Sequence, residues 1–300
     1  MRRKYMDFGK ELKARVEEIE PIIRKYLPTE TGPHRTILEA MNYSVLAGGK
    51  RLRPMLIHET FRLFGGNGTV IEPFMAAIEM IHSYSLVHDD LPALDNDEYR
   101  RGRKSTHAAY GEAMGILAGD ALLNYAFETA MKAFDMDAPV EWIARALRVL
   151  AEKAGIGGMI GGQVVDVESE GKEIDAETLE FIHRNKTGAL MEAAMMTGAI
   201  LAGANHEQIT AMEQAAGKIG LAFQIRDDIL DVTGTEEELG KPVGSDEKNS
   251  KVTYVSLYGM EKAEQDVQRL SDEAITLLRA LPVRNEFLEE LLMSLVERRA

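Results

Sequence analysis

Three features of the sequence predict a chain built from α-helices. Apolar residues recur at intervals of three and four along most of the 300 residues, which is the spacing of one helix face. Valine and isoleucine never alternate with polar residues over a stretch long enough for a strand. The segments between the helical patterns are short, except for residues 232–250. We therefore expect one all-helical domain that spans residues 1–300.

Ten helices account for this pattern, and proline or glycine marks many of their ends. Pro28 follows the first helix and Pro54 opens the third, because proline suits a first turn but not a helix interior. Glycines between 157 and 162 crowd the middle of the sixth helix, where a break and a close approach to a neighbour or a ligand are both open. The predicted helices span residues 7–27, 35–46, 54–64, 71–87, 110–134, 140–168, 176–202, 206–231, 251–281 and 285–299.

Composition excludes several classes of function. The sequence has no cysteine, so it carries neither a disulfide framework nor a thiolate metal site. Its net charge of −14 disfavours nucleic acid as a partner. No apolar run reaches the roughly 18 residues of a membrane span. We therefore expect a cytoplasmic protein without stable membrane insertion.

A dense run of charge follows the fourth predicted helix. Carboxylates this close repel one another, whereas Mg²⁺ takes oxygen ligands and bridges carboxylates to substrate phosphates. The bases that follow suit a diphosphate, since arginine offers a planar fork of donors. An acidic surface loop is the alternative, but the apolar helix before the acids places them where the core opens. The acids are Asp89, Asp90, Asp95, Asp97 and Glu98, and the bases are Arg100, Arg101, Arg103 and Lys104.

A second acidic cluster ends the eighth predicted helix. Asp227 and Asp231 lie four residues apart and share a face with Gln224, and Asp228 sits beside them. Carboxylates at a helix C-terminus are opposed by the helix dipole unless a cation offsets their charge. Two such clusters, each after an apolar segment, favour metal binding over acids left in water.

Several bases are candidates for binding an anion. Lys186 lies on the apolar stripe of its helix, where extension to the surface and contact with a buried anion are equally open. A glycine-hinged turn at residues 48–54 precedes a helix N-terminus, which suits an anion. Lys241 and Lys251 flank the long loop, and singly they would pass as surface lysines. The bases of the turn are Lys50, Arg51 and Arg53.

Taken together, these segments resemble the trans-isoprenyl diphosphate synthases, a family of prenyltransferases. Residues 89–95 are similar to the family's first aspartate-rich motif, in the form with four residues between the pair and the last aspartate. Residues 100–102 are similar to the arginine pair after it, and residues 227–231 to the second aspartate-rich motif. The resemblance runs from residue 48 to 251 and implies an antiparallel helical bundle around a central cavity, assembled as a homodimer. Further matches are Gly49–Pro54, His82, Lys186–Thr187, Phe223–Gln224, Gly240–Lys241 and Lys251.

The resemblance also implies a reaction and a role for each matching residue. The reaction is a Mg²⁺-dependent condensation of isopentenyl diphosphate with an allylic diphosphate, dimethylallyl or geranyl, which releases diphosphate. The implied ligands of Mg²⁺, with three ions once substrate is bound, are Asp89, Asp90, Asp95, Asp227, Asp228 and Asp231. The implied ligands of isopentenyl diphosphate are Gly49, Lys50, Arg53, His82 and Arg101, and those of the allylic diphosphate are Arg100, Lys186, Thr187, Gln224, Lys241 and Lys251. The implied catalytic residues are Lys186, Thr187, Gln224 and Phe223.

Product length should depend on the residues that block the pocket beside the fourth helix. Tyr84 precedes Asp89 by five residues, about 7.5 Å along a helix axis, and Ser85 is next to it. An aromatic residue there, with the longer first motif, resembles the bacterial farnesyl-producing type. A geranylgeranyl product is the alternative, because neighbouring helices can also set the floor and Tyr84 can be ordinary core.

Two other classes of protein are alternatives to a prenyltransferase. A terpene cyclase would be helical with an aspartate motif, but would need no basic turn at 48–54 and usually has a different second metal motif. A non-catalytic partner subunit would be expected to lose one aspartate motif, and this chain keeps both.

Overall fold

The computed structural model describes residues 7–234 and 251–297. Within these residues the chain is helical except for one two-stranded ribbon, so the all-helical prediction is confirmed. No helix of the described residues is both long enough and apolar enough to cross a membrane. The helices are α1 (Phe8–Tyr26), α2 (Arg35–Val45), α3 (Leu52–Leu63), α4 (Glu72–Asp89), α5 (Thr106–Tyr110), α6 (Glu112–Met131), α7 (Val140–Ala154), α8 (Met159–Ser169), α9 (Ala176–Ile182), α10 (Ala189–Leu201), α11 (His206–Thr233), α12 (Tyr254–Tyr258), α13 (Met260–Ala280) and α14 (Glu286–Val296).

Glycines divide two of the predicted helices, 140–168 and 251–281, and a third glycine sets the start of the predicted helix 110–134 at Glu112. Gly111 separates α5 from α6 with a φ of 89°, and Gly259 separates α12 from α13 with a φ of 78°. An L-residue with a side chain rarely adopts this conformation, so glycine permits the break. Between α7 and α8, a Cβ on Gly158 would collide with the carbonyl oxygen of Lys153. The glycines at 157–162 therefore include a break between two helices, one of the two alternatives left open by the sequence.

The β-ribbon was not predicted. Strand β1 (Tyr99–Arg100) pairs antiparallel with β2 (Arg103–Lys104). The turn residues Arg101 and Gly102 both have positive φ, 53° and 73°, which is the conformation of a tight hairpin turn. Strands of two residues are too short to show alternation, so the pattern of the sequence carries no signal for them.

Helix α4 forms the centre of the fold. Its side chains are buried nearly all round, from Pro73 to Val87, as expected for a helix that is apolar on every face. It packs most extensively against α6, and also against α1, α2, α3 and α10. The last residue of α4 is Asp89. The first aspartate of the motif therefore lies at the end of the central core helix.

A π-helical segment, His183–Gly188, joins α9 to α10. Glycines from two neighbouring helices allow close contact with it. A Cβ on Gly162 of α8 would collide with the backbone nitrogen of Lys186, and a Cβ on Gly220 of α11 would lie 2.8 Å from the Cα of Gly188. Such π-helical turns often occur at functional sites, and this one carries both Lys186 and Thr187.

Gly198→Ala should destabilise the bundle, because a Cβ at this position in α10 would collide with the backbone carbonyl of Ile57 in α3. Backbone cannot rotate away as a side chain can, so we expect a loss of about 1–3 kcal/mol in the free energy of unfolding. Chemical denaturation followed by circular dichroism measures it.

Gly9→Ala is the matched control for this prediction. Gly9 lies exposed in α1, with Asp7 Oδ1 as the nearest atom at 3.8 Å. Alanine is favoured over glycine in a helix by up to about 1 kcal/mol, so this variant should be neutral or stabilised. Equal losses in the two variants would contradict the proposed contact between α3 and α10.

Candidate active site

The first aspartate motif folds back on the end of α4. The backbone N–H of Asp95 donates to the carbonyl oxygen of Asp89 at 2.9 Å, which brings the two residues together. Burial raises the pKa of Asp89, Lys186 opposes this, and the nearby charge of Asp95 adds to it. Both side chains offer only oxygen, the donor that a hard cation such as Mg²⁺ prefers. The pair therefore fits the metal that the family resemblance implies.

Asp90 is placed differently from its neighbour. It is buried, and its Oδ1 accepts hydrogen bonds from Nε and Nη2 of Arg100 at 2.6 Å. Arg100 Nη2 also lies 3.7 Å from Asp97. The predicted metal ligand Asp90 and the predicted diphosphate ligand Arg100 are thus paired with each other.

An ion network at the centre of the site joins α4, α8 and the π-helical segment. Lys186 Nζ lies 2.7 Å from Asp166 Oδ2 and 4.0 Å from Asp89 Oδ2. Lys251 Nζ lies 3.5 Å from the same oxygen of Asp166, and Gln163 Nε2 donates to Asp89 Oδ1 at 2.6 Å. Lys186 therefore points into the site and does not extend to the surface.

Asp166 is a site residue absent from the predicted ligand sets. Burial tends to raise its pKa, but Lys186 and Lys251 outweigh this and hold the pKa below its usual value. The carboxylate therefore stays ionised and orients both lysines. Its signal in the sequence was its position three residues after Gln163, on the same helix face next to a run of glycines.

The second aspartate motif occupies the last turns of α11. Asp227 accepts a hydrogen bond from Gln224 Nε2 at 3.2 Å. Asp228 accepts one from the backbone N–H of Tyr254 at 2.6 Å and has His183 Nε2 at 3.8 Å. Asp231 is buried. The predicted ligand Lys241 and the matching residue Gly240 before it lie outside the described residues.

The two aspartate motifs do not form a complete metal site by themselves. Among residues 7–234 and 251–297, no three carboxylate or imidazole side chains come close enough together to hold an ion. Their chemistry nevertheless fits Mg²⁺, since every predicted ligand is a carboxylate.

All five predicted ligands of isopentenyl diphosphate line one cavity of about 640 Å³. Burial, reinforced by the charge of Arg101, lowers the pKa of Arg53 to about 10 although Glu79 opposes it. Arg53 Nε is buried and has no hydrogen-bond acceptor within the described part of the chain. An anion in the cavity would supply one. The five ligands are Gly49, Lys50, Arg53, His82 and Arg101.

Gly49 and His82 are adapted to this cationic cavity. Gly49 has a φ of 130°, and a Cβ there would lie 2.9 Å from Nη1 of Arg101, so the absence of a side chain makes room for the guanidinium. Burial, followed by the charges of Arg53 and Arg101, holds the pKa of His82 well below its usual value. His82 is therefore neutral and leaves the positive charge to the arginines.

Arg51 also lines this cavity, but its guanidinium pairs with groups of the core, which does not support the expectation that it binds an anion together with Lys50 and Arg53. Its Nε donates to Glu20 at 2.6 Å, its Nη1 to Glu79 at 2.7 Å and its Nη2 to the carbonyl of Val45 at 2.9 Å. Two carboxylates from α1 and α4 thus draw the guanidinium into the core, where it is only 2% exposed.

A second cavity of about 560 Å³ runs beside α4. Asp89, Lys186 and Thr187 line it together with Tyr84 and Ser85. Its remaining wall is mostly apolar and comes from α6 and α8, through Leu123, Met159, Ile160, Val164 and Val167.

The two cavities adjoin, because Arg53 and His82 line both. A basic cavity, an apolar cavity and acidic helix ends suit substrates with a diphosphate head and an apolar tail. This combination in an all-helical bundle defines a prenyltransferase. Residues 34–280 match the family model described as polyprenyl synthetase. The chain belongs to this family.

Individual relatives differ in the product that their names state. A farnesyl diphosphate synthase of Geobacillus stearothermophilus is 46% identical over 249 residues, which is 83% of this chain and 84% of the relative. A geranylgeranyl diphosphate synthase of Cyanophora paradoxa is also 46% identical, over 87% of this chain and 86% of the relative. A geranyltransferase of Helicobacter pylori, solved with magnesium and isoprenyl diphosphate, superposes with a TM-score of 0.82 at 32% identity over 97% of both chains.

Arg51→Met should unfold far more easily than Arg53→Met. Removing Arg51 leaves Glu79 buried without its main cation, and breaking such a pair costs about 3–5 kcal/mol. Removing Arg53 deletes a cation whose lowered pKa shows that the fold disfavours its charge, so this variant should keep or gain stability. Chemical denaturation compares the two variants.

A double variant tests the assignment of Arg51 further. Arg51→Met combined with Glu79→Gln should recover part of the loss, because the buried carboxylate is also removed. Equal losses in the free energy of unfolding for Arg51→Met and Arg53→Met would contradict the assignment of Arg51 to the core and Arg53 to the cavity.

Proposed function

We propose that this protein condenses isopentenyl diphosphate with dimethylallyl and then geranyl diphosphate, giving farnesyl diphosphate and releasing diphosphate. The observation that carries the proposal is the junction of the two cavities at Arg53 and His82, with Lys186 in the lining of the apolar one. An allylic tail in the apolar cavity then has its reactive carbon near an isopentenyl group held in the basic cavity.

The basic cavity binds isopentenyl diphosphate in this proposal. Lys50, Arg53 and Arg101 neutralise its diphosphate, and Gly49 lets the backbone approach it closely. His82 contributes a hydrogen bond as a neutral imidazole. The apolar isopentenyl group of this substrate then points toward the allylic substrate.

The leaving diphosphate of the allylic substrate is bound at the ends of α4 and α11. Lys186, Lys251 and Arg100 contact its oxygens, and Asp166 keeps the two lysines oriented. Mg²⁺, when bound, neutralises the charge that develops on the diphosphate as the C–O bond breaks. Lys241 stays a predicted ligand of the same group. The residues that would hold the metal are Asp89, Asp95 and Asp227, with Asp90, Asp228 and Asp231 nearby.

The allylic cation is stabilised by dipoles and by an aromatic face. The hydroxyl of Thr187 and the amide of Gln224 present oxygen to it, and the ring of Phe223 adds a cation–π attraction. The isopentenyl double bond attacks the cation and forms the new C–C bond. The resulting cation loses a proton to the released diphosphate, which restores a double bond.

Tyr84 limits the length of the product in this proposal. It is buried in α4 and lines the apolar cavity, about 7.5 Å along the helix from Asp89. Ser85 lines the cavity beside it and donates its hydroxyl to the carbonyl of His82 at 2.9 Å. A geranylgeranyl product is the second candidate, since relatives with both names are equally similar to this chain.

The proposal extends to the whole chain and to its assembly. Residues 1–300 form one catalytic domain, which is supported by Phe8 of α1 and Leu291 of α14 lining the same basic cavity. A homodimer is supported by Ile116 and Leu117 of α6, which are 43% and 49% exposed and would be covered by a second copy. The charged substrates suit a cytoplasmic location, because diphosphates do not cross membranes unaided.

Purified protein with Mg²⁺, isopentenyl diphosphate and dimethylallyl diphosphate should yield farnesyl diphosphate, read as prenyl chain length by mass spectrometry. Chelation of Mg²⁺ should abolish condensation, because the leaving diphosphate then keeps its full charge. No condensation by folded protein with Mg²⁺ would overturn the proposed function, whereas a geranylgeranyl product would overturn only its farnesyl part.

Tyr84→Ala should lengthen the product, because it removes the ring that blocks the cavity. Tyr84→Phe is the matched control, since it keeps the ring and removes only a hydroxyl that is buried without a partner among the described residues. The Phe variant should therefore keep the product of the unmodified protein. A lengthened product from both variants, or from neither, would show that the ring is not the floor.

A further inference from the structure

We propose that His88 and Gly119 form a second determinant of product length, with the imidazole of His88 supporting the ring of Tyr84 against the apolar cavity. This inference rests on the proposed function, because it requires that the growing prenyl chain occupies this cavity. It assigns a specificity role to two residues that no predicted ligand set contains.

The first step of the argument is the contact between His88 and Tyr84. The two residues lie one turn apart on α4, and their rings meet edge to face with centroids 5.9 Å apart and planes at 83°. Both rings line the apolar cavity. The Tyr84 hydroxyl is buried and accepts or donates no hydrogen bond within the described residues. Packing alone therefore fixes the tyrosine ring, and His88 supplies a directional part of that packing.

The second step is that His88 is held from the side of α6. Its Nε2 lies 3.0 Å from the carbonyl oxygen of Ile116 and 3.8 Å from Asp120 Oδ1. This places the imidazole against the backbone of α6 at Gly119. A Cβ on Gly119 would collide with Nε2 and Cδ2 of the ring.

The third step concerns the apolar cavity, which the imidazole of His88 borders. Besides its contact with α6, the imidazole borders the cavity and the ring of Tyr84. We expect a side chain at position 119 to push the ring away from α6 toward the cavity that it borders, because the α6 backbone cannot retreat as a flexible side chain would. Gly119 thus sets how far His88 and Tyr84 intrude on the prenyl chain.

Two single variants should change product length in opposite directions. His88→Ala removes the residue that supports Tyr84 and also removes a ring from the cavity wall. The ratio of longer product to normal product should therefore rise about tenfold, which is the size of effect that a small change in an apolar pocket produces. Gly119→Ala pushes the imidazole into the cavity, so condensation should stop one isoprene unit earlier. The ratio of this shorter product to the normal product should also rise about tenfold.

The decisive protein is the double variant His88→Ala with Gly119→Ala. If Gly119 acts by pushing the imidazole, the added methyl has no ring to displace, and the double variant should match His88→Ala. Chain lengths are read by mass spectrometry relative to the unmodified protein. A Gly119→Ala effect of equal size with and without the imidazole would overturn the proposal, as would an unchanged product from His88→Ala.

Gly115→Ala is the control for the change of glycine to alanine in α6. Its Cβ would lie 3.0 Å from His107 Cβ and from Leu91 Cδ2, neither of which lines the cavity. It should leave product length unchanged even where stability shifts. A loss of folding would lower turnover for every primer without changing the ratio of products.

Two further comparisons keep the outcomes distinct. If Gly119→Ala does not fold, His88→Ala in the Tyr84→Ala background gives the answer, because the part of its effect that comes from supporting the tyrosine ring disappears once that ring is gone. Equal lengthening by His88→Ala in both backgrounds would overturn the support role. Absence of condensation by the unmodified protein contradicts the proposed function itself, and a geranylgeranyl product leaves the shifts relative to that product measurable.

Discussion

The pairing of Lys186 with Asp166 is the interaction on which the arrangement of the site depends. It connects α8 to the π-helical segment, and the same carboxylate lies 3.5 Å from Lys251. Charges buried this way are costly unless each has a partner, so the pairing fixes both lysines near the end of α4. Gly162 and Gly220 make the approach close enough, since a side chain at either position would hold the π-helical segment away.

Charged residues that are neighbours in the sequence have different roles, some in the stability of the fold and others in the site. Arg51 stabilises the core through Glu20 and Glu79, while Arg53 faces the basic cavity. Asp89 lies near Lys186, while the adjacent Asp90 pairs with Arg100. Residues one or two apart on a helix face different directions, so a charged motif in a sequence does not act as one unit.

The sequence predicted the elements that depend on local pattern and missed those that depend on distant partners. The apolar periodicity of residues 71–87 was sufficient to predict α4 and the acids at its end. The paired role of Asp166 depends on a lysine 20 residues away, and the burial of Arg51 depends on Glu20 of α1. The π-helical segment was equally hidden, because its extra backbone width is stabilised by packing against glycines of other helices.

The floor that we propose for the apolar cavity lies on α4, and this position has a consequence for the history of the family. The aspartate at the end of this helix and the ring of Tyr84 lie on different turns of the same helix. Selection can therefore vary the floor while the chemistry above it stays intact. After a gene duplication, a few substitutions on the turn below the reacting groups would then be enough to give one copy a product of different length. Such divergence would explain why relatives named for different products are equally similar to this chain, with 46% identity in both cases.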